Sequence, residues 1–217
     1  MAALRTALKI AEKQMIKSVE ILHNCRTKAA SLLDEGVNVE LAPLKLEKAL
    51  FKTTIEKLAQ ENWTAEGGDR VVFEVSTNPG APFGPMIKIA SGGELARFIL
   101  ALKVVLATSG GVPVMVFDEV DRGIGGATAD AVGERLSRLA SDAQVLVVTH
   151  SPQVAAVGDH HFRITKSSET MNGADVTISA VQKLSNEERR EELARMLAGA
   201  EVTDAARGAA DQLLARG

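Results

Sequence analysis

Helical and strand-like apolar segments alternate along the second half of the chain, and this alternation restricts the fold more than any other feature. Amphipathic helices are predicted at 93–108 and 128–140, with a shorter one after Pro152. The apolar runs between and after them are short, as strands are, and lie at 112–117, 144–149 and 162–165. Strands separated by helices pair in parallel and are covered on both faces. The sequence therefore predicts an α/β fold with a mostly parallel sheet and flanking helices.

Antiparallel pairs are predicted on either side of this region. Residues 70–76 alternate as strands do. Residues 49–58 fit a strand through Phe51, Thr53 and Ile55 or a helix through Ile55 and Leu58. The strand is favoured, because a polar segment with glycines joins the two for antiparallel pairing. A polar turn at 171–173 precedes another strand over 176–181. Two helices follow, and a capping box at 185–188 opens the first of them.

Residues 1–36 show a seven-residue spacing of apolar or small side chains. The positions are Leu4, Leu8, Ala11, Met15, Ser18, Leu22, Cys25, Ala29 and Leu32. This spacing predicts a coiled-coil arm over 1–36, in front of a lobe over 37–217. The arm is expected to end at Gly36, because glycine can take the left-handed cap conformation. An amphipathic helix packed on the lobe is the alternative.

Composition restricts the class of protein. The formal net charge is −3 over 217 residues, so no global basic field attracts a polyanion. Lys9, Lys13 and Lys17 share one helical face that could contact phosphates, although such runs are more often solvated. No apolar run approaches the ~20 residues that span a bilayer, and no signal peptide is apparent. With a single cysteine, the expected location is the reducing cytoplasm, without a membrane partner.

Two adjacent carboxylates, Asp118 and Glu119, follow directly on the apolar strand at 114–117. A buried charge is costly unless a cation or ligand compensates it. The carboxyl ends of strands are also where open α/β sheets bind ligands. The pair therefore indicates a site for a cation, with a carboxylate left to activate water. A strand that merely ends in an acidic turn is the structural alternative.

A serine and two glycines, Ser91, Gly92 and Gly93, precede Glu94 at the start of an apolar helix. Glycine lets a backbone approach a phosphate closely, and a helix N-terminus offers unpaired N–H groups with a favourable dipole. The segment therefore has the composition of an anion-binding loop. A serine N-cap followed by glycines would be the purely structural interpretation.

His150 ends the apolar strand at 145–149. A histidine at that edge can hydrogen-bond a terminal phosphate or an attacking water. A lone histidine there is more often an ordinary turn residue. The order of the glycine loop, the acidic strand end and the histidine makes a nucleotide site the better interpretation of all three.

In this order the motifs resemble those of ABC-type and SMC-like ATPases, and within them the bacterial group that acts in DNA repair. The resemblance rests on the runs KIASGGELARFILALKVVLA, VFDEVDRGIGG and VLVVTHSPQVAAVGDHHFRITK, and weakly on NPGAPFGP. It implies the C-terminal lobe of an ATPase head that binds ATP and Mg²⁺.

The resemblance also implies a role for each site residue. Asp118 would hold Mg²⁺ and Glu119 would activate water as the Walker B pair, with His150 as the switch histidine. The signature motif Ser91–Glu94 would act in trans on nucleotide held by a second head, in a homodimer. The complete protein would bind DNA at the nucleoid and act in double-strand break repair and recombination.

This sequence departs from the family pattern in two places. Residues 123–126 lack the aspartate that many ABC proteins carry there, which leaves a cross-dimer role of that loop open. The phosphate-binding Walker A pattern Gly-x-x-x-x-Gly-Lys-Ser/Thr is missing. In this family it lies in an N-terminal lobe, so the chain is expected to hold half of each ATP site and to be inactive alone. A non-catalytic coiled-coil interaction fragment and a transporter nucleotide-binding subunit are the alternative functions.

Overall fold

The computed structural model describes residues 1–89, 91–107, 114–171, 174–199 and 201–216, without the side chains of 169–171 and 174–176. The chain divides into two units, Met1–Gly111 and Val112–Gly217. The predicted helix end at Thr108, the first two residues of the strand at 112–117, and the turn residues Asn172 and Gly173 lie outside the described set.

The first unit combines a long helix, a small antiparallel sheet and a second helix. Its elements are α1 (Ala2–Leu41), β1 (Leu50–Lys57), β2 (Asp69–Ser76), β3 (Gly84–Pro85) and α2 (Gly92–Leu106), with short 3-10 turns at Gln60–Asn62 and Met86–Lys88. The sheet has the order β1-β2-β3, and both pairs are antiparallel. The predicted antiparallel pairing of 49–58 with 70–76 is thereby confirmed.

Gly36 lies inside α1 and does not end it, so the predicted helix end was wrong. The helix continues to Leu41, with Val37 and Leu41 buried. A Cβ on Gly36 would lie 2.9 Å from Cγ1 of Val105 in α2, so the glycine permits close approach of the two helices. Burial of the last turn of α1 outweighs the ~1 kcal/mol lower helix propensity of glycine.

Side chains of α1 satisfy the outer edge of β1. Asn38 accepts a hydrogen bond from the backbone N–H of Phe51 and donates one to its carbonyl, both at 2.9 Å. Asp34 Oδ1 accepts from the N–H of Thr53 at 2.8 Å. These bonds occupy backbone groups that an edge strand would otherwise expose. The C-terminal part of α1 is therefore fastened to the sheet.

A second attachment joins the middle of α1 to the start of β2. The side chain of Asp69 is only 1% exposed and contacts His23 Nδ1 at 2.7 Å and Arg26 at 3.2 Å. Arg26 also donates to the carbonyl of Glu66 at 2.7 Å. Burial acts to raise the pKa of Asp69, but hydrogen bonds from His23 and Arg26 and the nearby positive charge outweigh it and hold the pKa below its usual value.

The N-terminal turns of α1 leave large apolar side chains exposed. Leu4, Leu8, Met15 and Leu32, which belong to the predicted coiled-coil seam, are all exposed. A groove of about 620 Å³ runs along this helix. One wall is formed by Met15, Ser18, Val19 and Leu22, and the other by Trp63 and nearby residues of the 60–67 segment. The seam is thus partly covered within the chain and otherwise open to a partner helix.

The second unit is α/β. Its elements are β4 (Val114–Asp118), α3 (Ala127–Ala140), β5 (Gln144–Val148), α4 (Pro152–Ala156), β6 (Phe162–Met171), β7 (Ala174–Lys183), α5 (Asn186–Ala198) and α6 (Asp204–Leu214). β4 and β5 pair in parallel, as predicted, whereas β6 pairs antiparallel with β7. Ser185 and Glu188 form the predicted capping box of α5. Among the described residues, parallel pairing is thus confined to β4 and β5.

One face of the β4–β5 pair is exposed, although the apolar runs predict coverage on both faces. The residues on this face include Val114, Val116, Leu146 and Val148. Val116 is 67% exposed and Val148 52% exposed, whereas Phe117 on the other face is buried. The helix α3 contacts β5. A pair of strands with helix packing on one side leaves its other side to water or to another polypeptide.

Among the described helices, none is long and apolar enough to cross a membrane.

Replacement of Asp69 by asparagine should lower the free energy of unfolding by about 1–3 kcal/mol, because two charge-assisted hydrogen bonds to a buried carboxylate are weakened. The exposed Asp142, changed to asparagine, is the matched control and should change stability by less than ~0.5 kcal/mol. Urea titrations followed by circular dichroism measure both.

The contribution of Asp69 to the free energy of unfolding should depend on pH in one direction. Since the pKa of Asp69 is lowered by folding, its contribution is complete above the unfolded pKa of about 3.9 and is lost as the pH falls through the folded value. The difference between wild type and Asp69→Asn should therefore narrow in acid. A difference that widened below pH 4 would contradict this account.

Candidate nucleotide half-site

The glycine loop begins α2, and its serine caps the helix. Ser91 Oγ accepts a hydrogen bond from the N–H of Glu94 at 3.4 Å. Ser91 and Gly92 are exposed, and Gly93 is buried. A Cβ on Gly92 would meet nothing within 4 Å, so the packing of this chain does not require glycine there. The open space and the exposed helix start fit an anion supplied from outside the chain.

Glu94 has an electrostatic role within α2. Arg97, one turn further on, is buried. Burial lowers the pKa of the Arg97 guanidinium, and the negative charge of Glu94 counteracts that effect. Glu94 therefore places a compensating negative charge near a buried cation.

Asp118 and Glu119 lie at the carboxyl end of β4. Asp118 is the last strand residue, and its side chain is exposed. Glu119 Oε2 accepts a hydrogen bond from Arg122 at 2.8 Å, in an ion pair whose two side chains are both largely exposed. The two carboxylates are therefore accessible to a cation or to water.

The backbone of Glu119 is strained. Its φ angle is +52°, in the left-handed region that side chains with a Cβ rarely adopt. The N–H of Arg122 donates to the carbonyl of Glu119 at 3.0 Å and closes a tight turn. Such strain persists where the surroundings enforce it, and it is frequent at functional sites.

His150 lies at the same end of the parallel pair. Asp118 pairs with Val148 in register, so Glu119 and His150 each follow the paired ends of adjacent strands. The His150 side chain is exposed. The second unit thus brings Asp118, Glu119 and His150 to one edge. The glycine loop belongs to the first unit. That it forms one site with Asp118, Glu119 and His150 stays a prediction.

Asp121 is a residue of this edge that sequence reasoning missed. It is 1% exposed. One of its carboxylate oxygens accepts hydrogen bonds from the Thr149 hydroxyl and from the Ser151 N–H, the latter at 3.2 Å. In the sequence, Asp121 is only a third acid in the 118–121 run. Since an acidic turn is normally solvated, nothing in that run predicts that Asp121 is buried.

The glycines after the acidic turn have a local structural use. Gly126 precedes α3 with φ +54°, and Gly123 has φ +73°. Residues with a Cβ would be strained at both positions. This explains glycine in the 123–126 loop without reference to a second head.

The described residues fit one part of an Mg²⁺–nucleotide site. No group of three or more His, Cys, Asp or Glu side chains converges among them as a metal centre. A single exposed carboxylate suits Mg²⁺, which commonly takes one or two protein carboxylates and completes its shell with phosphate and water oxygens. The chemistry of Asp118 is therefore compatible with the predicted ion.

Curated relatives named DNA repair protein RecN match most of the chain. That of Rickettsia felis is 48% identical over 186 residues, which are 86% of this chain and 33% of that protein. That of Vibrio cholerae is 39% identical over 214 residues, 99% and 38% respectively. That of Streptomyces coelicolor is 42% identical over 205 residues, 90% and 35% respectively. The chain spans about a third of the length of these relatives, in their C-terminal part.

Two solved structures of archaeal Smc heads share the fold. The Smc head domain of Pyrococcus yayanosii, with a coiled coil and joint, has a TM-score of 0.55 at 20% identity and covers 88% of this chain and 35% of its own. That of Pyrococcus furiosus, with an extended coiled coil and bound to the C-terminal domain of ScpA, has a TM-score of 0.53 at 18% identity, with coverage of 88% and 45%. No protein-family model matches the chain. The predicted resemblance and α/β head-lobe fold are thus confirmed.

The strain at Glu119 predicts an inverted order of stability for two substitutions. Glu119→Gly and Glu119→Ala both remove the carboxylate and the ion pair with Arg122. Only glycine relieves the left-handed backbone, so Glu119→Gly should be the more stable by about 1 kcal/mol. Glu134→Gly and Glu134→Ala, within α3, are the control pair, in which alanine should be the more stable. Thermal unfolding measures all four, and an Ala variant at 119 that matched the Gly variant would contradict the strained turn.

Proposed function

We propose that this chain is the C-terminal part of a RecN-like, SMC-type ATPase that acts in DNA double-strand break repair and recombination. The observation that carries the proposal is that Asp118, Glu119 and His150 lie at the same end of the parallel pair β4–β5. Identities of 39–48% to proteins named for DNA repair over most of the chain support the family assignment.

Each residue at this edge has a task in hydrolysis. Asp118 would hold Mg²⁺ through its exposed carboxylate, directly or through water, and the ion would supply positive charge beside the phosphates. Glu119 orients the attacking water and accepts its proton, for which it must exchange its contact with Arg122 for one with water. His150 donates a hydrogen bond to the terminal phosphate or positions the same water.

The glycine loop serves a second copy of the head. Ser91, Gly92 and Gly93 contact the terminal phosphate of nucleotide on the opposing head, through backbone N–H groups at the start of α2. The exposure of Ser91 and Gly92 and the open space at Gly92 support a contact from outside the chain. The active form is then a homodimer with two shared sites.

The exposed face of the β4–β5 pair takes an N-terminal lobe that carries the Walker A loop. Parallel strands are rarely stable with one face in water, and Val116 and Val148 are more than half exposed. About two thirds of each RecN relative lies outside the matched region, which leaves ample length for such a lobe. That lobe supplies the lysine and the backbone amides that bind the β- and γ-phosphates.

The exposed seam of α1 supports the arm function. Leu4, Leu8 and Leu32 face water in the described structure, as expected for a helix that pairs with another arm helix. The arm covers 1–36 and the head lobe 37–217. DNA is bound by the complete protein in the cytoplasm, where it associates with the nucleoid.

The proposal is tested by adding the missing lobe. The chain is mixed with the N-terminal two thirds of the Rickettsia felis relative, which is 48% identical in the shared region. ATP turnover should appear in the mixture, depend on Mg²⁺, and be absent from either piece alone. Glu119→Gln should reduce it at least a hundredfold, because the general base is lost. A stable complex without turnover would instead favour a non-catalytic interaction fragment.

A matched pair of glycine variants tests the signature loop. A Cβ meets nothing within 4 Å at Gly92 in α2 or at Gly208 in α6, so alanine at either site should leave stability unchanged or raise it by up to ~1 kcal/mol. Only Gly92→Ala should lower ATP turnover of the assembled head, by tenfold or more, since its methyl occupies the space proposed for phosphate. Equal turnover in the two variants would remove Gly92 from the site.

A further inference from the structure

A single buried carboxylate connects the acidic turn to the segment that carries His150. Asp121 follows Glu119 by two residues and is 1% exposed. One of its oxygens accepts from the hydroxyl of Thr149 and from the N–H of Ser151. Thr149 and Ser151 are the residues immediately before and after His150. The residues on both sides of the histidine are therefore anchored to one atom, Thr149 through its hydroxyl and Ser151 through its backbone N–H.

The anchor is reinforced within the histidine segment. The Thr149 hydroxyl also accepts from the Ser151 N–H at 2.9 Å. Ser151 in turn donates its own hydroxyl to Gln153 at 3.0 Å, where α4 begins. The segment from 149 to 153 is thus held at several points, while the His150 side chain itself projects into solvent.

On the other side, Asp121 belongs to the tight turn that Glu119 begins. The Arg122 N–H bonds to the Glu119 carbonyl at 3.0 Å, and the Ile124 N–H bonds to the Asp121 carbonyl at 3.2 Å. A shift of the Asp121 carboxylate would therefore move the turn that presents Glu119. It would also move the segment that presents His150.

Stability alone does not account for a carboxylate at this position. The second oxygen of Asp121 is buried without a hydrogen-bond partner among the described residues. A buried charged group with an unsatisfied oxygen is unfavourable for folding. A group that fixes the mutual geometry of two exposed catalytic side chains has a reason to be retained despite that cost.

We propose that Asp121 is a positioning residue that sets the placement of His150 relative to Glu119. The inference rests on the proposed function, because it assigns the two exposed side chains to one reaction. Asp121 touches neither nucleotide nor water in this scheme. It acts through Thr149 and the Ser151 N–H, and its loss should lower the rate of the chemical step more than the binding of ATP.

Amide hydrogen exchange of the chain tests the coupling directly. Thr149→Val removes the hydroxyl while keeping the shape, whereas Thr149→Ser keeps the hydroxyl. Exchange at the Ser151 amide should accelerate by roughly tenfold or more in the valine variant and stay close to wild type in the serine variant. Amides in α5 should not change in either. Unchanged exchange at Ser151 in Thr149→Val would overturn the coupling.

Asp121 itself is tested by a second pair. Asp121→Asn retains a carbonyl oxygen that can accept both bonds, and Asp121→Ala has no acceptor. The Ser151 N–H keeps its 2.9 Å bond to the Thr149 hydroxyl in both variants. The alanine variant should therefore lose part of the Ser151 protection, because the Asp121 acceptor is gone and the Thr149 hydroxyl is no longer fixed by it, and the asparagine variant should keep most of it. If Asp121→Ala does not fold, the Thr149 pair decides. Loss of protection in Thr149→Ser equal to that in Thr149→Val would show that the hydroxyl is not the connecting group.

Steady-state kinetics of the assembled head separate positioning from general destabilisation. Thr149→Val should lower kcat tenfold or more with KM for ATP changed less than about threefold, and Thr149→Ser should restore kcat. Thr165→Val, an exposed threonine of β6, should change neither. An effect on KM alone would overturn the positioning role. A wild-type head without turnover would refute the proposed function, while the exchange measurements would still decide whether Asp121 holds the His150 segment.

Discussion

The parallel pairing of β4 with β5 is the constraint on which the candidate site depends. Parallel strands place their carboxyl ends at one edge, so the residues that follow each strand lie at the same edge of the sheet. The in-register pairs from Val114–Gln144 to Asp118–Val148 fix this edge. Asp118 ends one strand, Glu119 follows it directly, and His150 lies just beyond the end of the other strand.

The same pairing leaves one apolar face of the two strands uncovered among the described residues. Two parallel strands with helix packing on one face cannot bury both faces, and Val116 and Val148 remain open to water. The candidate site presents carboxylates but no phosphate-binding lysine. The proposed N-terminal lobe would cover the exposed apolar face and would also contribute the phosphate-binding loop.

Much of the fold followed from sequence periodicity, and the errors have definite physical causes. Most strands and helices of the α/β region were predicted near their observed positions, because their apolar patterns differ in period. The strand predicted at 162–165 extends to Met171, and the short strand β3 was not predicted. Gly36 was misjudged because a contact with Val105, distant in sequence, keeps the helix going. Asp121 was missed because its burial depends on Thr149 and Ser151, which no local pattern connects to it. The exposure of Val116 was not predicted either, because it depends on which elements pack against β4 and not on the local sequence.

The acidic turn concentrates features that oppose folding. Within three residues, Glu119 adopts a left-handed backbone and Asp121 carries a buried oxygen without a partner among the described residues. Neither feature is confined to this turn, since Lys45 also has a left-handed backbone and Thr53 Oγ1 and His161 Nδ1 are also buried without a partner among the described residues. Departures of this kind are expected where the geometry of a site matters more than stability. Their location between the Walker B-like strand end and the His150 segment is consistent with this edge as the candidate site.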